Sequence, residues 1–70
     1  MSLWTVYDHP SDYPDWFVAR RFEVSAGGSV PTADLLVGDL NIIRDSFYKA
    51  GLYCLTRNEN DDKNIVETWL

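Results

Sequence analysis

One segment of this chain carries a helical stripe. Leu40, Ile43, Phe47 and Ala50 recur at spacings of three and four over Leu40 to Ala50, and Gly51 follows. That is the pattern of an amphipathic helix with a single apolar face, closed where a left-handed residue is tolerated. Gly38-Asp39 stands ahead of it, and the aspartate is expected to cap the first turn by accepting a bond from a free N–H. One such helix can cover only one side of whatever it packs on.

The other periodic segments read as strands. Leu3 to Tyr7 is short, β-branched and aromatic, and stops at an Asp-His-Pro turn. Trp16 to Val24 alternates, with Val18, Arg20, Phe22 and Val24 on one side and Phe17, Ala19, Arg21 and Glu23 on the other. The first set is the more apolar and is expected to be the core face. Arg20 interrupts it, which calls for a sheet margin where the stem can snorkel or for a bulge. Ser25 to Thr32 holds two glycines and a proline and reads as the most flexible connector. Leu35 to Val37 suits a short strand. Leu52 to Arg57 and Ile65 to Leu70 suit a hairpin around the polar loop Asn58 to Asn64.

The economical arrangement is one α+β domain over residues 1–70 with the order β-β-(β)-α-β-β. Its four or five strands form a mainly antiparallel sheet with the helix on one face. With the helix on the Val18 and Phe22 side, Phe17 and Ala19 would point away, together with either Ile65/Trp69 or Val66/Leu70. Large apolar groups on an uncovered face mark an association surface. The expectation is therefore a homodimer or larger assembly, with Tyr7, Tyr13, Trp16, Phe17 and Trp69 as contact residues. The competing arrangement folds the loops Asp8 to Asp15 and Ser25 to Asp34 over those rings.

Composition narrows the rest. A chain of 70 residues buries only about 60% of its unfolded surface and needs reinforcement. The single cysteine, Cys54, excludes an intrachain disulfide framework, whereas ten aromatic side chains supply a dense core without a cofactor. A net charge of −5 argues against nucleic acid, whose affinity rests on basic residues, and favours a basic protein partner. Neither a signal-peptide pattern nor a membrane-length apolar run is seen, so the expectation is a cytoplasmic protein without a membrane partner.

Candidate chemistry concentrates in "DHPSDYPD". Asp8, His9, Asp12 and Asp15 are possible metal ligands, and a metal-dependent enzyme using this loop is one alternative reading. Transition-metal sites draw on several nitrogen or sulfur donors, though, and this chain has only His9 and Cys54. The same residues build turns, and Pro10 and Pro14 push their predecessors out of helical angles, so a structural turn is expected. "NENDDKN" begins like a calcium loop, but Lys63 stands where the glycine belongs and Trp69 where the bidentate glutamate belongs. Cys54 lies in a predicted strand and reads as a small packed hydrophobe rather than a thiolate. Asp61-Asp62 and Asp8-Asp12 lie in polar loops unsuited to acid–base work, and Gly27-Gly28 lacks the spacing and lysine of a phosphate loop. Arg20 and Arg21 point to opposite faces of a strand, so they form no joint clamp and are expected to pair with neighbouring acids. No catalytic residue, metal or cofactor is assigned.

Two resemblances bear on function. "WTVYDHPSDYP", "FVARRFEV" and "GLYCLTR…DD…IVETWL" together resemble a group of short hypothetical proteins from bacteria, phages and prophages, over nearly the whole chain. That group carries an acidic stretch after the connector, a proline before Gly-Leu and another after the paired aspartates. Here those places hold "DLNII" (Asp39 to Ile43), Ala50 and Lys63. The resemblance implies a bacterial or phage origin and supplies no activity. The element order is also similar to the HicB-like antitoxin domains, which implies a small basic toxin as partner, although the Pro-Asp-Leu-Pro-Gly signature of that group is missing. The reading is a non-catalytic protein-binding or assembly module.

Overall fold

The computed structural model describes residues 1–56 and 64–70. Strands β1 (Ser2–Asp8), β2 (Phe17–Ser25) and β3 (Gly28–Gly38) precede helix α1 (Leu40–Lys49), and β4 (Cys54–Thr56) and β5 (Ile65–Trp69) follow. Among the described residues they form one open five-stranded antiparallel sheet in the order β3-β2-β1-β5-β4 with a single helix, an α+β fold. The helix is the crossover that carries the chain from one edge strand to the other.

The supposed connector is largely strand. Ser25 pairs with Gly28, so the reversal is the two-residue turn Ala26-Gly27, and β3 continues for 11 residues. Gly28 adopts φ 122°, open to a residue without Cβ. Pro31 is tolerated because β3 is an edge strand, where a missing N–H costs no ladder bond. The bulge expected at Arg20 is not in β2: the β2/β3 register shifts between Arg20 and Phe22, but the extra residues belong to β3, and Arg20 needs no such device because its side of β2 is not the helix side. The β1/β2 register runs unbroken from Ser2↔Glu23 to Asp8↔Phe17, so the alternation of β2 is preserved.

The helix covers the side opposite to the expected one. Val6, Ala19, Ile43, Phe47 and Trp69 form the buried core, with Trp4, Phe17, Leu36, Leu40, Leu52 and Val66 packed against it. Phe17 and Ala19 therefore face the helix, and Val18 and Phe22 do not. The reason lies in side-chain volume. Ala19, with no accessible surface, lets the helix approach the sheet, while Trp4 and Trp69 flank Phe47 at ring-centroid distances of 5.3 Å each, within the range of favourable aromatic pairs.

Helix α1 ends as the sequence suggests and begins otherwise. The Leu52 N–H donates to the Phe47 carbonyl and the Gly51 N–H to that of Tyr48, with Gly51 at φ 80°. This is a Schellman closure, completed by the packing of Leu52 on the core. Asp39 has extended backbone angles and its carbonyl accepts the first helical bond from Ile43, but its side chain makes no capping bond. The stripe of Ile43 and Phe47, both buried, holds the helix in place. Among the described residues no helix is long and apolar enough to cross a membrane.

Candidate functional site: the open face of the sheet

The face turned away from the helix is built from the alternate residues of every strand. Its middle row runs Leu55, Thr68, Thr5, Arg20, Leu35 across the five strands by direct register. On one side of that row lie Phe22 opposite Leu3 and Pro31, with Tyr53 and Leu70 joined by reciprocal backbone bonds. On the other side lie Ile65, Tyr7, Val18 and Val37. Among the described residues of this face, Arg20 is the one charged side chain, in a chain with six basic and eleven acidic residues. Tyr53, Leu55 and Val37 are exposed at 79%, 46% and 44%.

One end of this face is roofed by the loop that sequence reading singled out. The Tyr13 N–H donates to the Pro10 carbonyl at 2.9 Å and the Trp16 N–H to that of Tyr13 at 3.2 Å, so residues 10–16 form two successive turns. His9 sits at φ 48°, pairs with Asp8 through Nδ1 and packs edge-on against Phe17 at 4.9 Å. The loop encloses a recess of about 180 Å³ lined by Tyr7, Pro10, Asp12, Tyr13, Val18 and Arg20. It also explains why Val18, on the face without a helix, is only 4% exposed. No three His, Cys, Asp or Glu side chains among the described residues are grouped to hold a metal ion, so the loop does not gather its four donors. The expected polar hairpin loop Asn58 to Asn64 lies outside the described residues, apart from Asn64.

The expected contact residues are divided by the structure. Tyr7 and Tyr13 meet around the recess, and Trp16, 47% exposed, follows at the end of the loop. Phe17 is partly buried on the helix side, and Trp69, 1% exposed, is a core residue. Trp69 therefore cannot be a contact. The alternation Ile65/Trp69 fails because β5 bulges: Val6 pairs with Glu67 but Tyr7 pairs with Ile65. Val66 is the extra residue, and Ile65 and Trp69 end on opposite faces.

Sequence reasoning missed a polar cluster on the covered side. Glu67 is 4% exposed. Its Oε1 accepts from Arg44 Nε at 2.7 Å, and its Oε2 accepts from the Cys54 thiol at 2.8 Å and Trp69 Nε1 at 3.0 Å. All three donors aim at one buried carboxylate, beside an open recess of about 360 Å³ that Tyr48 also lines. Cys54 is exposed rather than packed as a hydrophobe. Local desolvation, then its bond to Glu67, push its thiol up to about 11 from an ordinary 9.0, so it is a thiol and not a nucleophilic thiolate at neutral pH. A glutamate set in the same alternation as Trp69 was the available signal.

The second arginine of the pair behaves as expected. Arg21 Nε donates to Asp34 at 2.7 Å and its Nη1 reaches Glu23 and Ser2. Bonding to Asp34 raises the Arg21 pKa, and the Ser2 hydroxyl, followed by the N-terminus and Arg21, lowers that of Glu23. Arg20 makes no ion pair among the described residues, although it shares the recess with Asp12.

Comparison of the chain with protein-family models, with curated proteins and with solved structures finds no match in any of the three. Function therefore has to be argued from the two faces themselves.

Proposed function

We propose that this protein is a non-catalytic binding module, cytoplasmic and of bacterial or phage origin, that works by docking its open sheet face against another protein surface. One observation carries the reading: among the described residues, a face spanning five strands presents mostly apolar side chains with a single charge, and helix α1 lies on the other side. Exposed apolar patches of that extent on small proteins mark interaction sites. Binding of nucleic acid is disfavoured by the net charge of −5. Nucleophilic chemistry at Cys54 is disfavoured because it is held as the thiol.

The test uses a neutral solvatochromic dye such as Nile red on the folded protein at high dilution. Wild type should enhance its fluorescence, and Phe22→Asp with Leu55→Asp should abolish the enhancement while urea stability stays within about 1 kcal/mol per substitution. Absence of enhancement in wild type, or unfolding of the double variant, would overturn the reading.

A further inference from the structure

We infer that the recess beneath the Pro10 to Trp16 loop binds a small zwitterion, a free α-amino acid with an apolar side chain, whose carboxylate goes to Arg20 and whose ammonium goes to Asp12. The site goes beyond the docking role proposed above and does not depend on it. The chain itself builds the recess. Tyr7 and Val18 are cross-strand partners, and Arg20 follows two residues after Val18 on the same side of β2. The bonds from Tyr13 to Pro10 and from Trp16 to Tyr13 fold the loop over them and bring Pro10, Asp12 and Tyr13 to the same space of about 180 Å³. An apolar cavity of roughly 150 Å³ holds a benzene ring. One aromatic ring or branched aliphatic side chain therefore fits here, against Tyr7, Tyr13, Pro10 and the nearly buried Val18.

The charges in the recess select the ligand. Among the described residues Arg21, Arg44 and Lys49 each hold a carboxylate, and Arg20 holds none. Asp12 lines the same recess and likewise makes no hydrogen bond or ion pair, so two opposite charges stand unpaired in one cavity. Arg20 is partly buried, where water competes less, and a guanidinium grips a carboxylate through two parallel bonds. A simple carboxylate would be repelled by Asp12, by Asp15 exposed on the same loop and by the net charge of −5. A simple cation would be repelled by Arg20. A molecule with both charges on one carbon, neutral as a whole, satisfies each group and is repelled by neither. Its ammonium also gains from the electron-rich rings of Tyr7 and Tyr13. The end of a peptide chain offers only one of the two charges, which favours the free amino acid.

The test is titration of the isotope-labelled full chain with L-phenylalanine, followed by its backbone amide resonances. Saturable shifts centred on residues 10–13 and 18–20 are expected, with a Kd of about 1 mM or below. Three analogues should each bind about tenfold more weakly or worse: N-acetyl-L-phenylalanine, which lacks the ammonium, L-phenylalaninamide, which lacks the carboxylate, and glycine, which lacks the side chain. Arg20→Met keeps the apolar stem and should weaken L-phenylalanine about tenfold, as should Asp12→Asn, with resonances elsewhere unchanged. Asp12→Asn should also narrow the gap between L-phenylalanine and its N-acetyl derivative, which a merely structural loss would not do. The analogues decide the matter even if a substitution unfolds the chain. Absence of saturable shifts up to about 20 mM overturns the inference. So does an N-acetyl or amide derivative that binds as tightly as the free amino acid, which would make the recess an apolar or one-charge slot. So does an affinity for L-phenylalanine indifferent to both substitutions. The docking role is read separately, by Nile red through Phe22 and Leu55, and stands or falls on that measurement.

Discussion

The two faces of this sheet are made from alternate residues of the same five strands, yet they differ in kind. The covered face holds Trp4, Val6, Ala19 and Trp69 against Ile43 and Phe47, and it also holds a buried glutamate and the Arg21 network. The open face is the less charged of the two and has no helix over it. Polarity alone therefore did not decide which side became the core. A helix of 10 residues spans about 15 Å and needs a place to seat its one buried ring, Phe47. The matched pair Trp4↔Trp69, with the small Ala19 nearby, provides it. At the margin beyond the helix, charges cost little and Arg21 pairs with Glu23 and Asp34. The lesson is that covered and apolar are separate properties. The apolar face left uncovered is the informative one.

The sharpest way to break this comparison is to truncate one phenylalanine on each side. Phe47, 3% exposed, fills the space between two tryptophans, and Phe47→Ala should cost about 3–5 kcal/mol. A chain of this size has a total stability of roughly 4–10 kcal/mol, so the variant should be largely unfolded at 37 °C. Phe22→Ala on the open face, where the ring is only partly buried, should cost clearly less, about 1–2 kcal/mol in dilute solution. Urea titration of both variants at low concentration decides the matter. Equal losses would mean that the two faces are equally buried.

The second prediction sharpens the edge of the covered face. Cys54 is solvent-accessible, so slow alkylation would report its protonation and not its access. With the thiol held at about 11, the thiolate fraction at pH 8 should be about a hundredfold below that of an unperturbed cysteine, and iodoacetamide should react in proportion. The folded pKa lies above the unfolded one, so the native state holds this proton more tightly. The corresponding stability is intact below pH 9 and is lost as pH rises from 9 through 11. Glu67→Gln should move the alkylation profile toward lower pH. A profile that does not move would remove Glu67 as a cause of the shift.

A third prediction concerns the buried carboxylate itself. Arg44→Met leaves Glu67 without its guanidinium, and breaking a buried pair costs about 3–5 kcal/mol. Arg44 is 42% exposed, so water takes up part of its role and about 2 kcal/mol is expected. The double variant Arg44→Met with Glu67→Leu should recover most of that loss, since an apolar pair of similar volume suits this side of the sheet. A double-mutant cycle in urea measures the coupling. If the double variant is worse than Arg44→Met, the bonds from Cys54 and Trp69 dominate.

Much of this architecture was legible in the residues, and the failures have local causes. The helix was written in Leu40, Ile43 and Phe47, and its end in Gly51, because both depend on neighbours within a few positions. Strand existence was equally local. Which face is the core was not, since Phe17/Ala19 and Val18/Phe22 alternate symmetrically and only packing volume against the distant Phe47 separates them. Trp69 was misplaced because a single extra residue, Val66, changes the face of everything beyond it. Pro31 and the paired glycines suggested a loose connector, but an edge strand accepts both. Of the five expected contact residues, Tyr7, Tyr13 and Trp16 lie at or beside the open face, and Phe17 and Trp69 went to the side that the bulge and the helix determine.

The smallest predicted effect asks what holds the helix on its face. Asp39 occupies the N-cap position, where removal of a capping side chain usually costs about 1 kcal/mol. Here the Asp39 side chain makes no capping bond, and the first helical bond is to its backbone carbonyl, which alanine retains. What remains is the attraction of a carboxylate for the positive helix terminus, worth about 0.3–0.5 kcal/mol at low salt and fading as salt is added. Asp39→Ala should therefore shift the urea midpoint slightly in dilute buffer and negligibly at high ionic strength. A salt-independent loss near 1 kcal/mol would show that the side chain caps the helix in solution, and that α1 is anchored at its start as well as along its buried stripe.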